Sequence, residues 1–152
     1  MISKGATTVW ELWNGDTANP DMNSHNHVMQ IGDLNTWFHE YLGGMQATNP
    51  GFSDFRLKPH PVDDLNEVKV NFHCPYGLIK SEWKQDCDKF EWEVIVPPNT
   101  TATICVPAKS ADVVQESGMP ASEAIGLKFE GMDNSYALFK AGSGAYRFVS
   151  KK

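Results

Sequence analysis

Residues 5–29, GATTVWELWNGDTANPDMNSHNHVM, place one carboxylate, Glu11, between Trp10 and Trp13 and follow it with a polar turn carrying His25 and His27. A carboxylate flanked by indoles is partly screened from water, so its protonation can be tuned, and a sugar beside it can stack on an indole face. Paired carboxylates hydrolyse glycosides: one protonates the leaving oxygen, the other attacks the sugar or activates a water on its opposite face. Glu11 is a candidate for one member of such a pair. Asp16 and Asp21 are poor candidates for the second, because they lie in a loop of Gly, Asn and Pro where solvent keeps a carboxyl ionised. The partner is expected outside these residues.

Plainer roles exist for the same side chains. A glutamate between two tryptophans, taken alone, is more often a structural carboxylate at an element's end than a catalyst. His25 and His27 stand two apart with no third ligand at close spacing, so neither a metal nor any other cofactor is expected. Asn14, Asn23 and Asn26 carry amides suited to sugar hydroxyls or to fixing the loop. Asn26 abuts His27 and is the substrate-binding candidate among them, with a purely structural turn role left open.

Composition narrows the possible classes. The chain has 152 residues, 41% hydrophobic, with 13 Lys and Arg against 19 Asp and Glu for a net charge of -6. That suffices for an ordinary core and offers no basic run to neutralise a phosphate backbone, so nucleic acid is not an expected partner. No apolar stretch has the length of a membrane span, and MISKGATT lacks a signal-peptide core. Cys74, Cys87 and Cys105 are widely spaced and read as ordinary reduced or buried thiols.

The elements that must hold the candidate residues are of two kinds. Val28, Ile31, Leu34, Trp37, Phe38, Tyr41, Leu42 and Met45 recur three and four apart, which predicts an amphipathic helix over 28–45. Gly43-Gly44 weakens it and Asn49-Pro50-Gly51 stops it. His39 and Glu40 fall on its polar flank, and His60, between two prolines, reads as a solvated residue. After Pro50 the period becomes two: around Phe55 and Leu57, through Val68, Val70 and Phe72, from Leu78 to Trp83, and from Phe90 to Val96. Thr100 to Val106 is β-branched, a hairpin is expected around Asp133-Asn134, Ala145 to Val149 closes the set, and residues 108–125 form a long connection with a short strand at 113–116. Roughly seven short strands so spaced predict an antiparallel β-sandwich. The expected division is a helical piece over 1–50 and the sandwich over 51–152.

GATTVWELWNG, then MNSHNHVM, then GDLNTWFHEYLGG resembles the end of the catalytic domain of bacterial α-L-rhamnosidases, glycoside hydrolase family seventy-eight. The stretches FRLKPHPVDDLNEVKVNFHCPYGLIKSEWK, FEWEVIVPPNTTATICVPA and GSGAYRFVS are similar to the β-sandwich that follows the catalytic barrel in that family. The resemblance implies an inverting hydrolase of terminal α-L-rhamnosyl residues, built on an (α/α)6 barrel, whose substrates are rhamnose-containing glycosides or polysaccharides. It implies a general acid in an upstream acidic motif that has no counterpart in these residues. It also implies a general base at the glutamate of the WE-x-W element, here Glu11, and a sugar contact from the His of the Asn-His pair, here His27. Trp10, Trp13 and Asn26 are the further substrate-binding candidates. A periplasmic or extracellular setting is implied, with the cytoplasm as alternative.

On this reading the residues are the C-terminal piece of a longer enzyme and are expected to be inactive alone, since a pocket needs acid, base and walls held together. The helix over 28–45 is expected to pack partly on the sandwich or to pair two copies as a homodimer, with residues 1–25 loosely ordered or exchanged. An alternative of another class is a stand-alone carbohydrate-binding or structural module over 51–152. It requires Trp83 and Trp92 as an exposed stacking platform, whereas their strand alternation favours burial between sheets. A third is an interaction protein whose helix docks on a partner.

Overall fold

A strand buries every second side chain, and that rule organises most of this molecule. The computed structural model describes residues 1–151. They divide into two compact units, Met1–Trp37 and Phe38–Lys152.

In the first unit, short 3-10 turns at Ile2–Lys4 and Pro20–Met22 punctuate irregular backbone, and helix α1 spans Met29–Thr36. Pro20 opens the second turn where a missing N–H costs nothing, and the Asn19 side chain caps it by accepting from the Asp21 N–H at 3.0 Å. No residue of α1 is buried; Ile31 and Leu34 are exposed.

The helix predicted over 28–45 is shorter and of two kinds. After α1 the backbone widens into a π-helical stretch, Trp37–Leu42, with the Gly43 N–H closing on the Phe38 carbonyl at 2.9 Å. Met45 then opens a strand, β1 (Met45–Ala47), rather than ending a helix. Gly44 explains the early stop. Its φ is +73°, and a Cβ there would sit 2.3 Å from the Lys58 carbonyl carbon, so two backbones meet where no side chain fits. The Lys58 N–H donates to the Gly44 carbonyl at 2.9 Å across that approach.

The second unit continues with β2 (Asp54–Leu57), β3 (Glu67–Cys74), β4 (Gly77–Gln85), β5 (Lys89–Val96), β6 (Thr101–Pro107) and β7 (Val114–Glu116). It ends with β8 (Met119–Pro120), β9 (Leu127–Asp133), β10 (Tyr136–Ala141) and β11 (Gly144–Lys151). They form a five-stranded sheet ordered β1-β2-β6-β10-β9 and a six-stranded sheet ordered β3-β4-β5-β11-β7-β8. The strands beyond the expected set, β1 and β8, are too short to show a period. The pairing is antiparallel except that β2 lies parallel to β6. A parallel pair needs a long crossover, and residues 58–100 supply it by building β3, β4 and β5 of the other sheet.

Between the sheets sit Phe55, Trp83, Phe90, Trp92, Phe139 and Phe148, each 0% exposed. Along β5, Phe90, Trp92, Val94 and Val96 are buried while Lys89 and Glu93 face solvent. The stacking platform required by the stand-alone binding module is therefore absent at these two tryptophans. Their indole N–H groups are satisfied inside: Trp83 Nε1 donates to the Leu42 carbonyl at 2.8 Å and Trp92 Nε1 to Ser81 Oγ at 3.0 Å. Ser81 Oγ in turn donates to the Gly43 carbonyl at 2.7 Å. His60 is not the solvated residue its prolines predict. Its ring stacks on Tyr41 at 4.4 Å, and burial, then the charge of Lys58, hold its imidazole below the ordinary value. Outside, charges alternate across strands, with Lys80 bridging Glu82 and Glu93 at 2.9 Å each.

Candidate active site

Two short segments of the first unit lie side by side. The His27 N–H donates to the Val9 carbonyl at 2.7 Å and the Glu11 N–H to the Ser24 carbonyl at 2.9 Å, like two rungs of a strand ladder. Between them residues 12–23 turn back on themselves, with the Gly15 N–H on the Leu12 carbonyl and the Thr17 and Ala18 N–H groups both on the Asn14 carbonyl. This return brings together two residues sixteen positions apart: His27 Nδ1 lies 3.9 Å from Glu11 Oε2. The same oxygen accepts from the Ser24 N–H at 3.0 Å. Glu11 Oε1 makes no hydrogen bond among the described residues, and the side chain is 40% exposed. A carboxylate with one oxygen on a backbone N–H and the other without a protein donor can accept a further hydrogen bond or a proton.

The two flanking indoles part company. Trp10 is 7% exposed, its ring stacked on His25 at 5.1 Å and 26°, whereas Trp13 is 79% exposed. The expected screening on both sides of Glu11 is thus absent on the Trp13 side, while that ring offers an open face. Trp10 packs against Gly15, where an added Cβ would meet its Cε3 at 2.6 Å. The Gly15 carbonyl accepts from His25 Nε2 at 3.0 Å and from Asn23 Nδ2 at 3.4 Å, and Asn23 Oδ1 is buried without a partner among the described residues.

The remaining candidates fall around this pair. Asn26 is exposed, its N–H donating to Ser24 Oγ at 3.2 Å. Asp16 is engaged by Lys4 at 2.7 Å, and that hydrogen bond holds its carboxyl below the ordinary range. His25 and His27 do not converge on one point, since His25 is bonded to Gly15 and His27 faces Glu11. Sequence reasoning missed Gly15, Ser24 and the part played by His25. No spacing marks them, because Ser24 acts through its backbone thirteen residues from Glu11, and His25 through a ring ten residues from Gly15 and fifteen from Trp10. On the sandwich, a groove of about 250 Å³ over β3, β4, β5 and β11 is walled by Glu67, Lys69, Glu82, Lys84, Glu93 and Arg147, an ion-pair lattice without an exposed ring.

This geometry has close counterparts. The family model described as the bacterial alpha-L-rhamnosidase 6 hairpin glycosidase domain matches residues 1–42, and that of the bacterial alpha-L-rhamnosidase C-terminal domain matches residues 44–119. Both matched models are parts of bacterial alpha-L-rhamnosidases. The alpha-L-rhamnosidase of Streptomyces avermitilis is 30% identical over 153 residues, 97% of this chain and 14% of that protein. One from Formosa agariphila is 30% identical over 155 residues, 99% of this chain and 17% of that protein. The structure of the Streptomyces avermitilis enzyme complexed with L-rhamnose superposes on 99% of the chain with a TM-score of 0.83, and that of the alpha-L-rhamnosidase from Dictyoglumus thermophilum on 100% with the same score at 33% identity. The chain belongs to the bacterial α-L-rhamnosidase family and corresponds to the C-terminal part of its members, spanning 14–17% of the length of these relatives.

Proposed function

We propose that these residues complete the active site of an inverting α-L-rhamnosidase, with Glu11 as general base and His27 as a sugar contact. The carrying observation is the seat of the Glu11 carboxylate: Oε2 on the Ser24 N–H at 3.0 Å, His27 Nδ1 3.9 Å away, and Oε1 directed to no protein group among the described residues. A water on the side of Oε1 loses its proton to Glu11 as its oxygen attacks the anomeric carbon. An acid from another part of the polypeptide protonates the departing glycosidic oxygen. For inversion the two carboxyls stand about 6.5–9.5 Å apart, leaving room for that water. Trp13 presents an open indole for the apolar face of a rhamnosyl ring and Asn26 an exposed amide for its hydroxyls, while Trp10 is buried against Gly15 and His25. The name of the relatives, alpha-L-rhamnosidase, supports α-L-rhamnosides as the substrate class, here taken as terminal rhamnosyl groups of glycosides or polysaccharides.

The sandwich is the accessory domain, its tryptophans serving the core. The 152 residues alone supply the base without the acid and do not turn over substrate. The test is an aryl α-L-rhamnoside assay. In the longer polypeptide carrying these residues, Glu11→Gln lowers kcat by about 10²–10⁴-fold. Azide, which attacks without a base, restores turnover and gives a glycosyl azide of inverted configuration. Undiminished kcat in Glu11→Gln overturns the assignment of the base. Turnover by the isolated chain that vanishes in Glu11→Gln overturns its inactivity.

A further inference from the structure

Trp10, the residue before the carboxylate, is a buried side chain of the first unit. Gly15 touches its ring so closely that a Cβ would lie 2.6 Å from Cε3 and 3.0 Å from Cδ2. His25 joins the ring to the turn: it stacks on Trp10 at 5.1 Å and places Nε2 3.0 Å from the Gly15 carbonyl. A carbonyl only accepts, so the hydrogen is on Nε2. One side chain thus grips the residue that precedes Glu11 and the turn that follows it. It does so one position along the chain from Ser24, whose N–H holds Glu11 Oε2. The backbone pairing of His27 with Val9 and of Glu11 with Ser24 fixes where the two segments lie. The carboxylate is seated on the Ser24 N–H at one end of that pairing, next to the loop that His25 ties.

We propose that His25 is a positioning residue for Glu11: by stacking on Trp10 and donating to the Gly15 carbonyl it closes the 12–23 loop in the form that seats Oε2 on the Ser24 N–H and turns Oε1 outward. The inference rests on the reading of Glu11 as the general base for its catalytic meaning, while the latch itself is a property of this chain. Trp10 without His25 keeps Gly15 at its face but loses the tie to the turn's carbonyl. Glutamine at position 25 keeps that tie, because its Nε2 lies as far from the backbone as that of histidine, and gives up the stacked ring.

The experiment uses the whole chain and nuclear magnetic resonance. The Ser24 amide proton, bound to Glu11 Oε2, shifts as Glu11 ionises, and Glu11→Gln abolishes that response, which identifies it. In His25→Ala the Ser24 response falls, as the equilibrium constant between seated and unseated Glu11 drops by about threefold or more, the change that losing one ordinary hydrogen bond produces. His25→Gln recovers most of it. The His27 amide, bonded to the Val9 carbonyl, keeps its protection from exchange in both variants. An unchanged Ser24 response in His25→Ala overturns the proposal. So does loss of His27 protection in His25→Ala, since His25 would then hold the segments together rather than aim the carboxylate. So does His25→Gln that behaves like His25→Ala. Retained hydrolysis by Glu11→Gln in the longer enzyme defeats the general-base reading and leaves this amide signature standing; a Ser24 response indifferent to His25 does the reverse.

Discussion

Ser81 carries two buried hydrogen bonds on one oxygen, and Ser81→Ala deletes both. Its Oγ donates to the Gly43 carbonyl at 2.7 Å and accepts from Trp92 Nε1 at 3.0 Å, and Ser81 and Trp92 are both 0% exposed. The alanine leaves a buried indole N–H and a buried carbonyl without this partner. Each unsatisfied group costs about 1–3 kcal/mol, so the variant loses about 2–6 kcal/mol, a large share of the about 5–15 kcal/mol that holds a domain together. The void left by one oxygen adds little. Urea unfolding followed by near-ultraviolet circular dichroism, which reports packed aromatic rings, measures the loss. The mechanism makes a second demand: Trp92→Phe removes the donor, so Ser81→Ala costs less in that background, by about 1 kcal/mol or more. A Ser81→Ala cost under about 1 kcal/mol, or strict additivity with Trp92→Phe, refutes the argument that this hydroxyl is the joint between Trp92 and the end of the π-helical stretch.

Gly15→Ala drives a methyl into the Trp10 ring, 2.6 Å from Cε3. The resulting shift costs about 1–3 kcal/mol of local stability, read as faster exchange at the Glu11 and His27 amides, and unchanged exchange refutes it. Asp54 accepts from Lys140 and Thr101 at 2.6 Å each and from Thr48 at 2.9 Å; burial opposes its ionisation, but these donors outweigh burial and hold its carboxyl below 3.8. A carboxyl lowered in the folded state contributes stability that is present above its unfolded value and lost as pH falls through the folded one. Asp54→Asn therefore costs about 1–2 kcal/mol near neutral pH, and the gap from the wild type closes in acid below its ordinary value; a gap constant with pH counts against the network. Burial pushes the Cys105 thiol up to about 11 and Cys74 is buried, whereas Cys87 is exposed. A thiol reagent accordingly titrates Cys87 rapidly in the folded protein and reaches Cys74 and Cys105 only in denaturant, an order that equal reactivity of all three disproves.

The strands were legible because alternation is written between neighbours. Phe90 to Val96 announces one buried and one solvated face whatever it packs against, and the burial of Trp83 and Trp92 follows from their places in that alternation. The helix over 28–45 was not legible to its end, because three-and-four spacing is indifferent to the switch from α to π turns. The early stop depends on Lys58 pressing against Gly44. His60 was misread for the same reason: its burial comes from Tyr41, which no local pattern near the prolines records.

At the candidate site the carboxylate between indoles singles out Glu11 along the chain, and the resemblance of the Asn-His pair singles out His27, since both are local features of the sequence. Which indole is buried, which oxygen of the carboxylate is seated and which is open, and the tie from His25 to Gly15 were decided by tertiary structure alone. Composition and periodicity act through adjacent residues and so can be read along the chain. The direction of one carboxylate is set by a backbone N–H thirteen residues away and a ring beyond it, and only the folded return of residues 12–23 brings those groups to it.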